Sequence, residues 1–512
     1  MSAHLRKQSA DDGEDVPRVE GYRTRGLLGS GGTSEVWLLE GSDGTRSALK
    51  TPRSAGDGGR PESLRAERWR QNGISHEHLL AVHRVVTLVR SAGDGALKTG
   101  EGLLMDFAPG GTVASLVAAR GRITPEETVT VIVPIARALA YLHARGLVHG
   151  DVAPGNILFS AEGKPLLSDF GLARIRGEEE RGPLLGTAPF VDTGRRARRG
   201  DAGRAAADVY SLAAVAWWCL TGEAPGPSAY RPPLPVIRPE VPRGLALAVE
   251  AGLQEEPDER VTAEAFARAV QRACRALPVR IAAGAHPGMG PELVTTVLPE
   301  PPGGVAARLT GLLRALKRPR AHSRRAGGRR AARRRRRPGI GAAVTAASVA
   351  LLTGLSAVHN GRSASTTTPP SQTSPQAVPD PVAAVPELVE SRARMLQDRD
   401  ESRLSSVYVP GRAMDRDRVL LRALRTQGRH YAGYRPTASS TKLLRRGGSA
   451  LAEVRATLTT PGFSIVADRP GNGRGVPAWA RGSRVEEVLL ALTLVEGRWR
   501  IQEVSTMPSG SP

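Results

Sequence analysis

The chain has 512 residues, too many for one hydrophobic core, so two or three domains are expected. Its formal net charge is +22, but nine arginines crowd between Arg324 and Arg337, and so local a run weakens the case for a nucleic-acid partner. Two cysteines, Cys219 and Cys274, are too few for a disulfide framework.

Residues 1–17 are polar and acidic with no apolar segment, which reads as a disordered tail and not a signal peptide. Next, apolar residues bracket a turn at Gly29-Ser30-Gly31-Gly32 and continue through Val36 to Leu38. This predicts two antiparallel strands whose small turn residues let backbone N–H groups approach a phosphate. Ala48-Leu49-Lys50 reads as a strand end with one lysine, and Ser63–Trp69 as a helix carrying Glu67, nine residues before His76. Leu103–Gly111 reads as a strand running into a turn. Thr124-Pro125-Glu126-Glu127 combines a capping threonine, proline at the first helical position and glutamate three residues after the cap. Val129, Ile132, Ala136, Leu139 and Leu142 then follow at helical spacing, Pro134 should kink the helix and Gly146 should end it. His149 reads as a packed core histidine. From Asp151 the apolar runs Ile157–Phe159 and Leu166–Leu167, on either side of Glu162-Gly163-Lys164, predict a short hairpin. That hairpin can bring Asp151, Asn156 and Asp169 to one place. Asp208 to Leu220 reads as an apolar helix.

An acid, an amide five residues later and a second acid before Phe170-Gly171, after a Gly-rich turn and a strand lysine, resemble the motif set of protein kinases. Residues 18–277 resemble a bacterial, actinobacterial-like Hanks-type serine/threonine kinase domain. The resemblance implies an α+β, two-lobed fold that uses ATP and Mg²⁺ and phosphorylates hydroxyls of a protein substrate. It implies Asp151 as the base that orients the substrate hydroxyl, and Asn156 and Asp169 as Mg²⁺ ligands. Lys50 would hold the α- and β-phosphates, with Glu67 as its partner. Leu28, Gly29, Ser30, Gly31, Val36, Ala48 and Leu158 would contact the nucleotide. Met105 would be the gatekeeper, and the backbone of Asp106 to Ala108 would bond adenine. Asp208 would brace the catalytic loop, and Arg260 would be the structural arginine before the last helix.

The chain departs from the family in three places. Gly150 stands where an arginine usually precedes the catalytic aspartate, and no Ser, Thr or Tyr occurs from Leu172 to Gly186. Phosphorylation of the activation segment is therefore not the expected switch; its own packing, or contacts within a homodimer, should order it. Ala153 replaces the usual lysine two residues after Asp151, removing a cation that can lower the barrier by several kcal/mol. Asp192-Thr193-Gly194 replaces Ala-Pro-Glu, leaving Asp192 to pair with Arg260. The departures leave an active kinase with altered chemistry, a nucleotide-binding pseudokinase that signals by shape, and a small-molecule phosphotransferase, which His149-Gly150-Asp151 also resembles. The complete set Lys50, Glu67, Asp151, Asn156 and Asp169 favours activity.

Residues 278–338 read as a basic juxtamembrane linker. Residues 339–358 carry no charge and are long enough as a helix to cross a bilayer. With the arginines on one flank only, the positive-inside pattern predicts a single-pass plasma-membrane protein with its kinase domain in the cytoplasm. The same arginines would attract anionic membrane lipid. Residues 359–385 are a Ser/Thr/Pro-rich spacer. Residues 386–508 should form a small α+β extracytoplasmic domain that binds an unknown ligand or protein. Its expected helices are Leu388–Leu404 and Asp417–Thr426. Its expected strands are Thr437–Leu444, Ala450–Thr459, Glu486–Val495 and Arg498–Val504, with a hairpin at Glu496-Gly497. That order resembles the cone-shaped domains of the nuclear-transport-factor and dehydratase type.

Overall fold

The computed structural model describes residues 16–31, 34–53, 73–91, 97–169, 174–175, 190, 192, 200–285, 378–468 and 479–506. Strands β1 (Tyr22–Ser30), β2 (Ser34–Gly41), β3 (Arg46–Pro52), β4 (Val82–Ser91) and β5 (Leu97–Asp106) form an antiparallel sheet of order β1-β2-β3-β5-β4. The two-residue period of β3 sorts its side chains to opposite faces. Leu49 enters a core with Leu39, Val86, Leu88 and Leu104. Ala48 and Lys50 share the other face, where Ala48 packs with Leu80 and Met105.

The helical lobe contains α1 (Val113–Arg120), α2 (Pro125–His143), α3 (Gly200–Thr221), α4 (Leu234–Ile237), α5 (Arg243–Gly252) and α6 (Ala263–Ala273). The capping box that opens α2 is present: the Thr124 hydroxyl accepts from the Glu127 N–H, and the Glu127 carboxylate accepts from the Thr124 N–H. All five predicted apolar positions of α2 are buried, and Pro134 lies inside the helix without ending it. Strand β6 (Leu147–Val148) pairs with β9 (Arg174–Ile175), and the expected hairpin forms between β7 (Ile157–Phe159) and β8 (Pro165–Leu167). Helix α3 begins at Gly200, well before the expected start at Asp208. The weak helix formers Gly200 and Gly203 hid that first turn; burial of Asp208, Val209 and Leu212 anchors the remainder.

The C-terminal domain packs α7 (Pro381–Asp398), α8 (Leu404–Val407) and α9 (Arg412–Thr426) against a sheet of β11 (Thr437–Gly447), β12 (Leu451–Thr460), β15 (Arg484–Val495) and β16 (Arg498–Thr506). Its first helix starts earlier than predicted and stops at Arg399, which takes a left-handed conformation. Glu496 and Gly497 both have positive φ, as the tight β15–β16 hairpin requires. A second sheet of β10 (Arg429–Ala432), β13 (Phe463–Ala467) and β14 (Trp479–Arg481) was not foreseen.

The helical lobe and the C-terminal domain belong to one compact unit and share a continuous apolar core. Among the described residues no helix is long and apolar enough to cross a membrane. The predicted span, 339–358, lies outside the described residues, as do most of the basic linker and the spacer.

Candidate active site

A cavity of about 250 Å³ opens between the sheet and the helical lobe. Leu28, Gly29, Val36 and Ala48 line it from the strands, Met105 to Ala108 from the end of β5, and Asn156, Leu158, Ser168 and Asp169 from the helical lobe. Lys50 reaches in from β3 and pairs with the Asp169 carboxylate. The lysine is buried, whereas the Asp169 side chain is 38% exposed. Asp169 also has φ of +73°, a conformation that aspartate tolerates better than most residues.

Asn156 is pinned by its amide nitrogen, which donates at 2.9 Å both to the Asp151 carbonyl and to Asp151 Oδ2. Its carbonyl oxygen is thereby set apart from Asp151 and can serve, beside Asp169, as a donor to a hard cation. Two oxygen donors of this kind fit Mg²⁺ that also takes nucleotide phosphates. Among the described residues no cluster of three or more His, Cys, Asp or Glu offers an all-protein metal site.

The loop that carries Asp151 is fixed from beneath. Asp208, 1% exposed, accepts from the His149 N–H at 2.9 Å, from the Gly150 N–H at 2.8 Å and from His143 Nε2 at 2.8 Å. Burial pushes the Asp208 carboxyl up, but its hydrogen bonds from His143 and Gly150 outweigh that and hold it below the usual carboxylate range. His149 is fully buried, as expected of a core histidine. Its Nε2 faces the Ser168 carbonyl at 3.0 Å and its Nδ1 accepts from the Asp151 N–H at 3.3 Å, so the neutral ring with its proton on Nε2 satisfies both contacts. This ring ties the Asp151 loop to the residue before Asp169. Gly150 has φ of +80°, where a residue with a side chain would cost about 1–2 kcal/mol. Glycine therefore relaxes the loop at the position where the family places arginine.

Most of the predicted site residues come together, with these exceptions. Ser30 and Gly31 do not line the cavity; the Gly31 N–H instead donates to the Ser34 carbonyl at 2.8 Å and closes the turn. Asp151 does not line the cavity either and joins it through its bond to Asn156. Asp106 does line it, with its N–H donating to the Ala81 carbonyl at 3.0 Å. Glu67, Phe170, Gly171 and Thr187 lie outside the described residues. Leu80, Val82 and Thr112 also line the cavity, and the motif reading missed them because only their place on the fold marks them. Ala153 is 1% exposed, so its methyl is core packing and not a gap beside the phosphates. A cation does stand at the rim of the Gly-rich turn: Arg53, just past β3, donates to the Gly31 carbonyl at 3.1 Å. The expected substitute for the missing glutamate is present too, as Arg260 pairs with the buried Asp192.

Residues 22–232 match the protein kinase domain family. The serine/threonine-protein kinase PknJ of Mycobacterium tuberculosis is 33% identical over 327 residues, covering 55% of this chain and 53% of PknJ. PknA of the same species is 30% identical over 258 residues, covering 47% of this chain and 58% of PknA. PknB of Mycobacterium leprae is 32% identical over 213 residues, covering 40% of this chain and 33% of PknB. The chain thus spans about half the length of the first two of these relatives and less of the third. Sequence similarity and site geometry meet in one stretch, and residues 22–232 are similar to the kinase domains of bacterial serine/threonine-protein kinases.

Proposed function

We propose that this chain is a serine/threonine protein kinase that transfers the ATP γ-phosphate to a protein hydroxyl. The observation that carries the reading is that Lys50, Asn156 and Asp169 line one cavity while Asp151 stands beside it, bonded to Asn156. Lys50 would hold the phosphates against the sheet. Asn156 and Asp169 would hold Mg²⁺, which supplies charge neutralisation for the phosphates when bound. Asp151, with its carboxylate oriented by Asn156, would accept a hydrogen bond from the attacking hydroxyl and turn its lone pair toward phosphorus. The buried bonds from Asp208 keep that loop rigid, which is where a positioning mechanism gains its rate.

Ala153 supports a second reading, in which the cavity binds nucleotide and no phosphate is transferred. Phosphotransfer by the full-length chain to a mixed protein substrate, with Asp151→Asn as control, separates the two. Transfer lost in the control supports the kinase; nucleotide binding with no transfer in either protein supports the pseudokinase.

Membrane attachment is a further part of the proposal, supported by the nine arginines between Arg324 and Arg337 and the uncharged residues beyond them. Fractionation of cells expressing the chain, with and without residues 324–358, tests it: equal recovery in the soluble fraction would refute the attachment.

A further inference from the structure

The helical lobe carries a short turn, Ser228–Tyr230, followed by Arg231 and α4. Its backbone is satisfied from the C-terminal domain. The Glu486 carboxylate accepts from the Ser228 N–H at 2.8 Å and from the Ala229 N–H. Arg481 donates to the Ser228 carbonyl at 2.8 Å and the Arg231 carbonyl at 3.3 Å, while its other nitrogen pairs with Glu250 of α5 at 2.9 Å. Arg392 and the Tyr434 hydroxyl both donate to the Ala229 carbonyl, at 3.1 and 3.2 Å. The Arg392 guanidinium also stacks 4.1 Å over the Tyr230 ring, and Gln427 donates to the Val236 carbonyl at 2.7 Å.

These groups are matched to each other, as a chance contact would not be. An acid meets two N–H donors, arginines meet carbonyls and an acid, and an aromatic ring meets a cation. The groups are also desolvated: Arg481 is 9% exposed, Glu250 6% and Arg392 4%. Arg392 finds its acid, Asp417, within its own domain, but the Arg481–Glu250 pair forms only across the contact, and either charge buried there without the other would cost several kcal/mol.

We propose that the C-terminal domain is the docked partner of the chain's own helical lobe, with the turn Ser228–Arg231 as its recognition element. This places both domains on one side of any bilayer. A single crossing at 339–358 would put them on opposite faces, and the contact and that crossing exclude each other. The inference concerns where the C-terminal domain sits and holds whether or not the cavity transfers phosphate.

Two measurements on the full-length chain test it. The first fuses a reporter after Pro512, using in parallel one that is active only in the cytoplasm and one that is active only outside it. The cytoplasmic reporter alone should be active; activity of the external reporter alone would overturn the proposal. The second inserts a specific protease site between residues 297 and 377, cuts the purified protein and asks whether the halves stay together on gel filtration. They should co-elute in the wild type, separate in Arg481→Glu combined with Glu486→Ala, and co-elute again in part when Arg481→Glu is combined with Glu250→Arg. Nucleotide binding by each variant controls for folding of the kinase half. Wild-type halves that separate as soon as the chain is cut would overturn the docking, and so would variants that fold yet co-elute as tightly as the wild type.

Discussion

Two regions of this molecule bury charge, and they use it in opposite ways. In the cleft, Lys50 is buried but its partner Asp169 is more than a third exposed, and the Asn156 amide is held from one side only. In the C-terminal domain, Arg392 is held on all three guanidinium nitrogens. It takes both Asp417 oxygens at 2.8 and 2.9 Å, the Tyr408 and Tyr434 hydroxyls at 2.9 and 2.7 Å, and the Ala229 carbonyl. Desolvation would lower its pKa, but the Asp417 charge and the neighbouring tyrosines outweigh that and raise it. A charge whose partner is open to solvent can meet a substrate; a charge held on each nitrogen by buried groups holds structure. The difference predicts which substitutions remove activity and which remove the fold.

The largest effect should come from the cleft. Asp169→Asn or Lys50→Ala should lower kcat by about 10²–10³-fold, with a smaller loss of thermal stability, because the Asp169 side chain is 38% exposed. Nucleotide affinity measured by titration should fall in both; unchanged affinity in both would show that this cavity is not the nucleotide site. In the Arg392 network the expected result is reversed. Arg392→Ala leaves Asp417 buried without its partner and should cost about 3–5 kcal/mol, read as a lower unfolding midpoint in denaturant. A variant that lost activity but kept its stability would contradict the contrast between the regions.

A smaller effect probes the missing lysine. If the cation at the rim of the Gly-rich turn acts on the transferring phosphate, Arg53→Ala should lower kcat about tenfold, leave KM for ATP near its original value, and be partly rescued by Arg53→Lys. An unchanged kcat would leave Ala153 uncompensated from this side.

The same contrast explains what was legible in the sequence. Lys50 sits on a strand, and Asp151, Asn156 and Asp169 on loops, whose local patterns are diagnostic, so spacing alone placed them. Helix α2 was legible because capping residues and an apolar stripe agree along its length. By contrast, Arg392, Arg481 and Glu486 lie in an ordinary amphipathic helix and two strands, and nothing nearby in sequence marks them as contacts to the helical lobe. Their partners are about 160 to 260 residues distant, as with Arg392 to Ala229 and Glu486 to Ser228. The strands of the second sheet, β10, β13 and β14, were missed because they are short, at 4, 5 and 3 residues, too few to show a periodic pattern. Their pairing is decided by tertiary packing, which local propensity does not carry.

A further predicted effect concerns pH and the interface. Glu255 follows α5 and is pushed up to about 7, first by desolvation and then by Glu486 from the C-terminal domain. Arg231 and Arg484 pull the other way, and Asp192 adds to the rise. A carboxyl raised in the folded chain holds a proton that the unfolded chain has released, so between about 4.5 and about 7 the folded state binds more protons. Its contribution is therefore fully favourable below the unfolded value and is lost as pH climbs through the folded value. Most paired carboxylates in the molecule act in the opposite sense, so only a difference isolates this one. Wild type minus Glu255→Gln, followed by thermal melts from pH 5 to 8, should show the wild type losing stability relative to the variant, by no more than about 3 kcal/mol over the range. Because Glu486 supplies part of the shift, Glu486→Gln should shrink the difference. A difference that is flat with pH, or that grows in favour of the wild type above pH 7, would show that Glu255 is charged and well paired in the docked state.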